Sequence, residues 1–271
     1  MRILLCLCIC ACVLKSQAQG PWNHKSCAVV LTYDDAINVD LDNVLPALDS
    51  QGFKGTFYLI TSSPVVAARL NEWRAAAREG HELGNHTLFH PCAGGPGRGF
   101  VQPDFDLRSY TVNRAVAETR AANTMLQAID GKTHRTFAYP CGDLNIRDSF
   151  FYAALRHDFA AARGVQPSMP TIDKVDLDNV PCYAIMNQSA DAMIGLVKQA
   201  MLNHGLLVFL FHGVGGGHSI NEGLADHSAL LHFLKAHESD IWIAPMVDVA
   251  DFIRQSSAPP RAARDKSPNA R

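Results

Sequence analysis

The chain has 271 residues, of which 48% are hydrophobic and 18% charged, and its formal net charge is -2. This composition supplies one sizeable apolar core but little surplus for two α/β domains, so we expect a single domain. No Lys/Arg-rich run occurs before the last few residues. The composition therefore excludes a phosphate-tracking surface and, with it, a nucleic-acid partner.

Residues 1–18 have the layout of a signal peptide. Arg2 precedes an apolar stretch at 3–14, and the small residues Ser16 and Ala18 come just before the expected cleavage point. The stretch is too short to span a bilayer, so we expect no transmembrane span. A secreted or periplasmic protein is predicted, and a lipid anchor on Cys12 is the weaker alternative.

Residues 19–255 alternate short strand-like runs with longer helix-like stretches, which predicts parallel strands joined by crossover helices. Periodicity alone does not choose between a closed (β/α) barrel and an open doubly wound sheet. The polar segment 256–271 is expected to be a disordered tail. The predicted strands are 28–33, 55–60, 136–139, 159–162, 206–211 and 241–244, and the predicted helices are 43–50, 65–79, 107–129, 146–156, 190–203, 224–236 and 247–255.

Chemically useful residues follow three of the predicted strands. Asp34 and Asp35 come directly after the first strand, Pro140 follows the run 136–139, and His212 follows the run 206–211. The carboxyl ends of parallel strands form the rim where ligands and catalysis gather. We therefore expect these residues to meet at one rim.

A second motif supplies imidazoles. His86 and His90 are four residues apart, a spacing that places two side chains on one side of a helical turn, where they can share a cation. Two histidines and a carboxylate leave coordination positions open, and such N/O ligands suit zinc, nickel, cobalt or iron. An isolated Asp pair is more often a turn or helix start, so the histidines decide the interpretation.

Four motifs in order resemble the polysaccharide deacetylase family, also called the NodB-homology or carbohydrate esterase type. The resemblance covers roughly residues 28–253 and implies an α/β fold, a distorted (β/α) barrel of the polysaccharide deacetylase type. The motifs are Thr32-Tyr-Asp-Asp35, Gly84-Asn-His-Thr-Leu-Phe-His90-Pro91, Phe137-Ala-Tyr-Pro140 and Leu210-Phe-His212.

The resemblance also implies a role for each matched residue. One divalent metal ion is the expected cofactor, with zinc the first candidate. The implied roles are Asp34 as catalytic base, Asp35, His86 and His90 as metal ligands, Pro140 and Cys141 as the segment whose Cys141 backbone N–H holds the oxyanion, His212 as general acid, and Leu210 as an apolar residue near the acetyl methyl.

The sequence departs from the family in two places. Many members carry an Arg that orients the base where this chain has Ala138, and Arg135, three residues earlier, is the nearest candidate to replace it. The family's fourth motif, with Asp and Trp, is also indistinct. Asp176 or Asp178 is a candidate to orient His212, and the alternative is a solvated acidic loop.

Four cysteines follow the predicted signal peptide: Cys27, Cys92, Cys141 and Cys182. They permit up to two disulfides in an exported chain, and three pairings if all four are bonded. Cys92 and Cys141 are the candidates to brace the site loops, with Cys141–Cys182 as the provisional pair. The lack of a CxxC motif disfavours a thiolate zinc site.

The leading functional hypothesis is N-deacetylation of a GlcNAc-containing glycan by a monomer. The alternatives are an esterase for O-acetyl polysaccharide such as xylan, and a carbohydrate-binding protein with weak or lost catalysis, for which Ala138 is the main support. The aromatic residues that either line a sugar cleft or pack in the core are Trp22, Phe89, Phe100, Phe105 and Tyr110. The remaining histidines interpreted as surface residues include His24, His134, His157, His204, His218, His227, His232 and His237.

Overall fold

A computed structural model describes residues 20–257. The predicted signal peptide and nearly all of the predicted tail lie outside this range. Within it, none of the helices has the length and apolar character that crossing a membrane requires.

The described chain alternates strands and helices. The strands are β1 Cys27–Asp34, β2 Thr56–Leu59, β3 Glu82–Asn85, β4 Phe137–Ala138, β5 Asn145–Ile146, β6 Ser149–Phe150, β7 Ala162–Arg163, β8 Tyr183–Ala184, β9 Leu206–Phe211, β10 Gly213–Val214, β11 Asn221–Glu222 and β12 Ile241–Ile243. The α-helices are α1 Leu45–Gln51, α2 Pro64–Ala68, α3 Leu70–Arg78, α4 Val112–Asp130, α5 Ala190–Asn203, α6 Leu224–Ala236 and α7 Met246–Ser257.

The main sheet has eight strands in the order β7-β4-β3-β2-β1-β9-β8, with β12 also paired to β1. Its pairings are parallel. Because β2 pairs with the carboxyl end of β1 and β12 with its amino end, the sheet curls around β1 into a half-barrel. The predicted α/β fold with a distorted barrel is confirmed.

The two longest strands, β1 and β9, are buried at every position. Their near-continuous apolar sequences suit a parallel sheet that is covered on both faces. Local signals fix the helices around them: the Thr111 side chain accepts from the Arg114 N–H to begin α4, and Gly131 ends that helix with a left-handed φ of 75°.

Two predicted elements are wrong, and at least two strands were not predicted. Residues 82–85 and 183–184 form strands that the sequence pattern missed. The predicted helix 146–156 is instead a short β5–β6 hairpin followed by a 3₁₀ turn, Phe151–Ala154. The strand predicted at 159–162 lies at 162–163, which moves Arg163 into the sheet.

Candidate metal and catalytic site

A cavity of about 480 Å³ opens at the carboxyl ends of the central strands. Most of the residues predicted for the site lie on its wall, together with residues from distant segments. The lining residues are Asp34, Asp35, His86, His90, Phe100, Tyr139, Cys141, Arg163, Val165, Ala184, Leu210, His212, His218, Ser219 and Ile220.

Asp35, His86 and His90 form a compact cluster of potential ligands. The Asp35 Oδ1 atom lies 3.6 Å from His86 Nε2 and 3.7 Å from His90 Nε2. One ligand atom from each residue falls within 4.8 Å of the other two. Asp35 Oδ1 is buried and has no hydrogen-bond partner among the described residues. This donor set fits a divalent cation that prefers nitrogen and oxygen ligands.

A backbone contact fixes the orientation of His86. Its Nδ1 lies 2.9 Å from the Ala138 carbonyl oxygen, which can only accept, so Nδ1 carries the proton. The Nε2 lone pair therefore faces Asp35. Hydrogen bonds of this kind set the tautomer of metal-binding histidines.

The spacing of His86 and His90 predicts that they lie on one side of a helical turn. This prediction is wrong. Residues 86–90 form a loop after β3, with positive φ angles of 67° at Thr87 and 54° at His90. The Asn85 side chain accepts from the Thr87 N–H at 2.7 Å, and the Thr87 hydroxyl accepts from the His90 N–H at 2.8 Å. These bonds form a tight loop, and the imidazole rings lie 4.6 Å apart between centroids.

Asp34 and Asp35 both reach the cavity, although consecutive strand residues point to opposite faces. Strand β1 ends at Asp34, and the backbone then takes positive φ values of 80° at Asp35 and 55° at Ala36. This turn brings both carboxylates to His86, whose Nε2 lies 3.6 Å from Asp34 Oδ2.

Arg163 forms a buried ion pair with Asp34. Strand pairing places Arg163 beside Ala138, the position at which many family members carry their Arg. The guanidinium is therefore supplied by the neighbouring strand. Arg135, the candidate from sequence, does not contact Asp34; it binds Asp130 and the Leu83 carbonyl.

Their surroundings shift the pKa values of the two carboxylates in opposite directions. Burial favours the neutral acid of Asp34, but Arg163, His86 and His212 together outweigh it and lower the Asp34 pKa. Burial and the neighbouring Asp34 charge raise the Asp35 pKa. The pair therefore divides into an ionised carboxylate held by an arginine and a second carboxylate that a cation would stabilise.

His86 and His90 are both neutral at ordinary pH. Burial lowers the pKa of His86 to about 3 and that of His90 to about 4. A neutral imidazole offers a lone pair to a cation, whereas a protonated one cannot.

His212 stacks on His218, with centroids 4.8 Å apart and planes 14° from parallel. His212 Nδ1 is buried without a hydrogen-bond partner among residues 20–257. Asp176 and Asp178 do not orient it: Asp178 pairs with Arg156, and Asp176 accepts from the Asp178 N–H at 2.9 Å.

The interpretation of His218 as a surface residue is wrong. Its Nε2 lies 3.7 Å from Asp35 Oδ2, while its Nδ1 accepts from the Ile220 N–H at 3.0 Å. Gly215, Gly216 and Gly217 have positive φ angles and turn the chain back from β10 toward the cavity. This glycine run was the only signal in the sequence that His218 could return to the site.

The prediction that His227 is a surface residue is also wrong. His227 is buried, and its Nε2 lies 2.9 Å from the Tyr33 hydroxyl.

The disulfide joins Cys92 to Cys141, so the provisional Cys141–Cys182 pair is wrong. Cys27 and Cys182 are buried free thiols. The Cys182 Sγ instead donates to the Gly164 carbonyl at 3.1 Å and lies 4.0 Å from Arg163 Nη1. The observed pair ties the loop after His90 to the segment after β4.

Of the other residues predicted to lie near the site, some line the cavity and others are buried in the hydrophobic core. Leu210 and Cys141 line the cavity, whereas Pro140 lines a separate, smaller pocket. Phe100 is 62% exposed at the cavity mouth. Phe89 and Phe105 stack at 5.0 Å in an adjoining pocket that His90 and Phe100 also line, while Trp22 and Tyr110 are fully buried in the core.

Fold and site together define the class of protein: a curled parallel α/β half-barrel with a cluster of potential cation ligands and an arginine-paired carboxylate in its rim cavity. The chain belongs to the polysaccharide deacetylase family, whose sequence model matches residues 23–161.

Two curated relatives match in sequence. A gellan lyase from Bacillus sp. is 25% identical over 256 residues, or 85% of this chain and 10% of that protein. The uncharacterised protein YlxY of Bacillus subtilis is 27% identical over 139 residues, or 51% of this chain and 36% of that protein. The matched region is therefore a minor part of both relatives.

Solved structures share the fold. A protein from Mycobacterium smegmatis classed among the polysaccharide deacetylases superposes with a TM-score of 0.62 at 14% identity, covering 91% of this chain and 96% of that one. A mutant of BA3943, described as a CE4 family pseudoenzyme, gives a TM-score of 0.52 at 17% identity, covering 84% and 68%. Both carry the same half-barrel.

Proposed function

We propose that this chain is a divalent-metal-dependent hydrolase that removes acetyl groups from carbohydrate, with the N-acetyl groups of a GlcNAc-containing glycan as its substrate. The observation that carries the proposal is the convergence of an Arg163-paired Asp34 and the cluster Asp35, His86 and His90 on one cavity. Family membership supports carbohydrate as the substrate class.

Hydrolysis of an acetyl amide requires a base for the attacking water, stabilisation of the oxyanion and a proton for the leaving amine. Asp34 is the base, because the groups around it keep its carboxylate ionised. His212 donates the proton to the leaving amine. The Cys141 backbone N–H stabilises the oxyanion, with Pro140 restricting the turn before it, and Leu210 packs near the acetyl methyl.

Asp35, His86 and His90 would hold one divalent cation, with zinc the first candidate and nickel, cobalt or iron the alternatives. Such a cation lowers the pKa of a bound water and polarises the acetyl carbonyl. Three protein ligands leave positions open for water and substrate.

The alternative of weak or lost catalysis relied on Ala138. Arg163 pairs with Asp34 from the strand beside Ala138, so the base has its guanidinium by another route. This observation favours an active enzyme.

An acetate-release screen over N- and O-acetylated glycans tests the proposal, with wild type beside Asp34→Asn and His86→Ala. We expect metal-loaded wild type to release acetate from N-acetylated glycans. Asp34→Asn should bind metal normally but react roughly 10²–10⁴-fold more slowly, the range for loss of a general base. His86→Ala should lose metal affinity. Release from O-acetyl substrates alone would move the assignment to an esterase, and no release by metal-loaded wild type across the panel would refute it.

We also propose that the protein acts outside the cytoplasm as a monomer. The Cys92–Cys141 disulfide supports an oxidising compartment. Mass spectrometry of the exported protein should find a chain beginning after Ala18, and sedimentation should give the monomer mass. A chain retained in the cytoplasm, or a stable dimer, would contradict this.

A further inference from the structure

A second group of potential ligands lies directly behind the first. His90, Cys92 and Cys141 offer one nitrogen and two sulfur atoms within 4.8 Å of one another. The two sulfurs form the disulfide in this structure. We propose that, in the reduced chain, Cys92, Cys141 and His90 bind a thiophilic divalent cation, and that disulfide formation abolishes this site.

The geometry between His90 and Cys92 already suits shared coordination. His90 Nδ1 lies 3.6 Å from Cys92 Sγ. Tetrahedral zinc, with bonds of about 2.3 Å to sulfur and about 2.0 Å to nitrogen, separates such ligands by roughly 3.5 Å. The other ring nitrogen, Nε2, faces Asp35 at 3.7 Å. One imidazole therefore stands between a carboxylate-histidine group and a thiol group.

Contacts other than the disulfide hold the two cysteine segments together. The Asp143 carboxylate accepts from the Ala93 N–H at 2.8 Å and from Arg98 Nη1 at 2.6 Å. Arg98 Nη2 also donates to the Cys141 carbonyl at 3.3 Å. These bonds bridge the residues next to Cys92 and Cys141, so the thiols stay close after reduction.

The site is reachable from solvent through the cavity, whose wall includes Cys141. A dithiol reductant transfers two electrons and two protons to the disulfide, becomes a cyclic disulfide itself, and leaves two thiols. Cation binding then displaces the two thiol protons. Two thiolates and an imidazole form a softer ligand set than one carboxylate and two imidazoles, so zinc, cobalt and cadmium suit it well.

The inference does not depend on deacetylase activity, and its test uses no substrate. The metal-free mature protein, which begins at Gln19 and so lacks Cys6, Cys8, Cys10 and Cys12, is prepared in two states, oxidised and reduced by a dithiol that is then removed under anaerobic conditions. Each is titrated with Co²⁺ and followed by absorption. We expect a thiolate-to-cobalt charge-transfer band only in the reduced protein. Cys27 and Cys182 are free in both states, which makes the oxidised protein the internal control.

Two variants assign the ligands. Cys92→Ser/Cys141→Ser should lack the band under reducing conditions. His90→Ala should keep a weaker band and bind Co²⁺ more than roughly tenfold less tightly, because even loss of an outer ligand contact costs that much. Circular dichroism checks that each variant folds. Identical spectra for oxidised and reduced wild type would overturn the proposal, as would undiminished affinity in His90→Ala.

Discussion

At the scale of single residues, the buried pair Asp34–Arg163 makes a sharp prediction. Arg163→Met leaves the Asp34 charge buried without its cation, which costs about 3–5 kcal/mol of unfolding free energy. Because Arg163 helps to lower the Asp34 pKa, its loss raises that pKa. A base works only when ionised, so activity should fall at a higher pH on the acid side than in wild type. Denaturant unfolding and the pH dependence of kcat/KM measure the two effects.

Arg135 provides the matched control, since it is an equally buried arginine paired with Asp130 outside the cavity. Arg135→Met should lose comparable stability without moving the acid limb of the activity profile. If both variants move that limb equally, Arg163 has no special influence on the base.

His218 makes a second residue-scale prediction. Its Nδ1 accepts a backbone N–H, so its Nε2–H faces Asp35. His218→Phe keeps a ring against His212 but removes this N–H, and should weaken metal binding roughly 10–100-fold, as for other partners of metal ligands. His218→Gln restores a donor without the ring. Calorimetric titration of both with Zn²⁺ compares them; equal affinities would show that the N–H has no role.

At the scale of elements, strand β3 packs closely against Tyr58 of β2 at Gly84, two residues before His86. A Cβ added to Gly84 would lie 2.4 Å from the Tyr58 ring. Gly84→Ala should therefore cost about 1–3 kcal/mol through overpacking and weaken metal binding by displacing His86. Gly195→Ala, in α5 with open space around the added atom, should instead stabilise the protein by about 1 kcal/mol. Thermal unfolding with and without metal separates the two outcomes.

The elements also show why the sequence predicts some parts of the fold and not others. Long apolar strands such as β9, and long helices such as α5, carry enough residues for periodicity to find them. Strands β4, β7 and β8 are two residues long, and their position depends on parallel neighbours far away in the chain. Arg163 could not be predicted as the partner of Asp34, because only the pairing of β4 with β7 brings it beside Ala138.

The residues of the candidate site also divide into those that the sequence predicts and those that it does not. The motif residues could be named from sequence for two reasons. Asp34, Asp35 and His212 directly follow predicted strands, whereas His86 and His90 were found by their spacing of four residues and by the family motif that contains them. His218 and the Cys92–Cys141 pair depend on the paths of two long loops, and local patterns do not determine those paths.

At the scale of the whole molecule, buried histidines couple stability to pH. Burial lowers the pKa of His227 to about 4, whereas an unfolded histidine titrates near 6.5. The unfolded chain therefore binds more protons between these values, and the unfolding free energy should fall as pH is lowered through this window, by about 3 kcal/mol for this group. His227→Gln should flatten the dependence in metal-free protein, as followed by urea unfolding. An unchanged slope would contradict the assignment.

Metal should stabilise the whole fold because the ligands meet only in the folded chain. A cation at 100 times its dissociation constant adds about 2.7 kcal/mol to the unfolding free energy. Chelation should lower the melting temperature of wild type and leave that of Asp35→Ala unchanged. The same shift in both would place the stabilising ion elsewhere.

The contact between His86 and the Ala138 carbonyl has a consequence for the residue types that position 138 can accept. Since the main chain performs this task, any residue at position 138 can do so, provided that its side chain fits the fully buried space. A guanidinium can therefore reach Asp34 from position 163 instead of position 138 without disturbing the proton on His86 Nδ1.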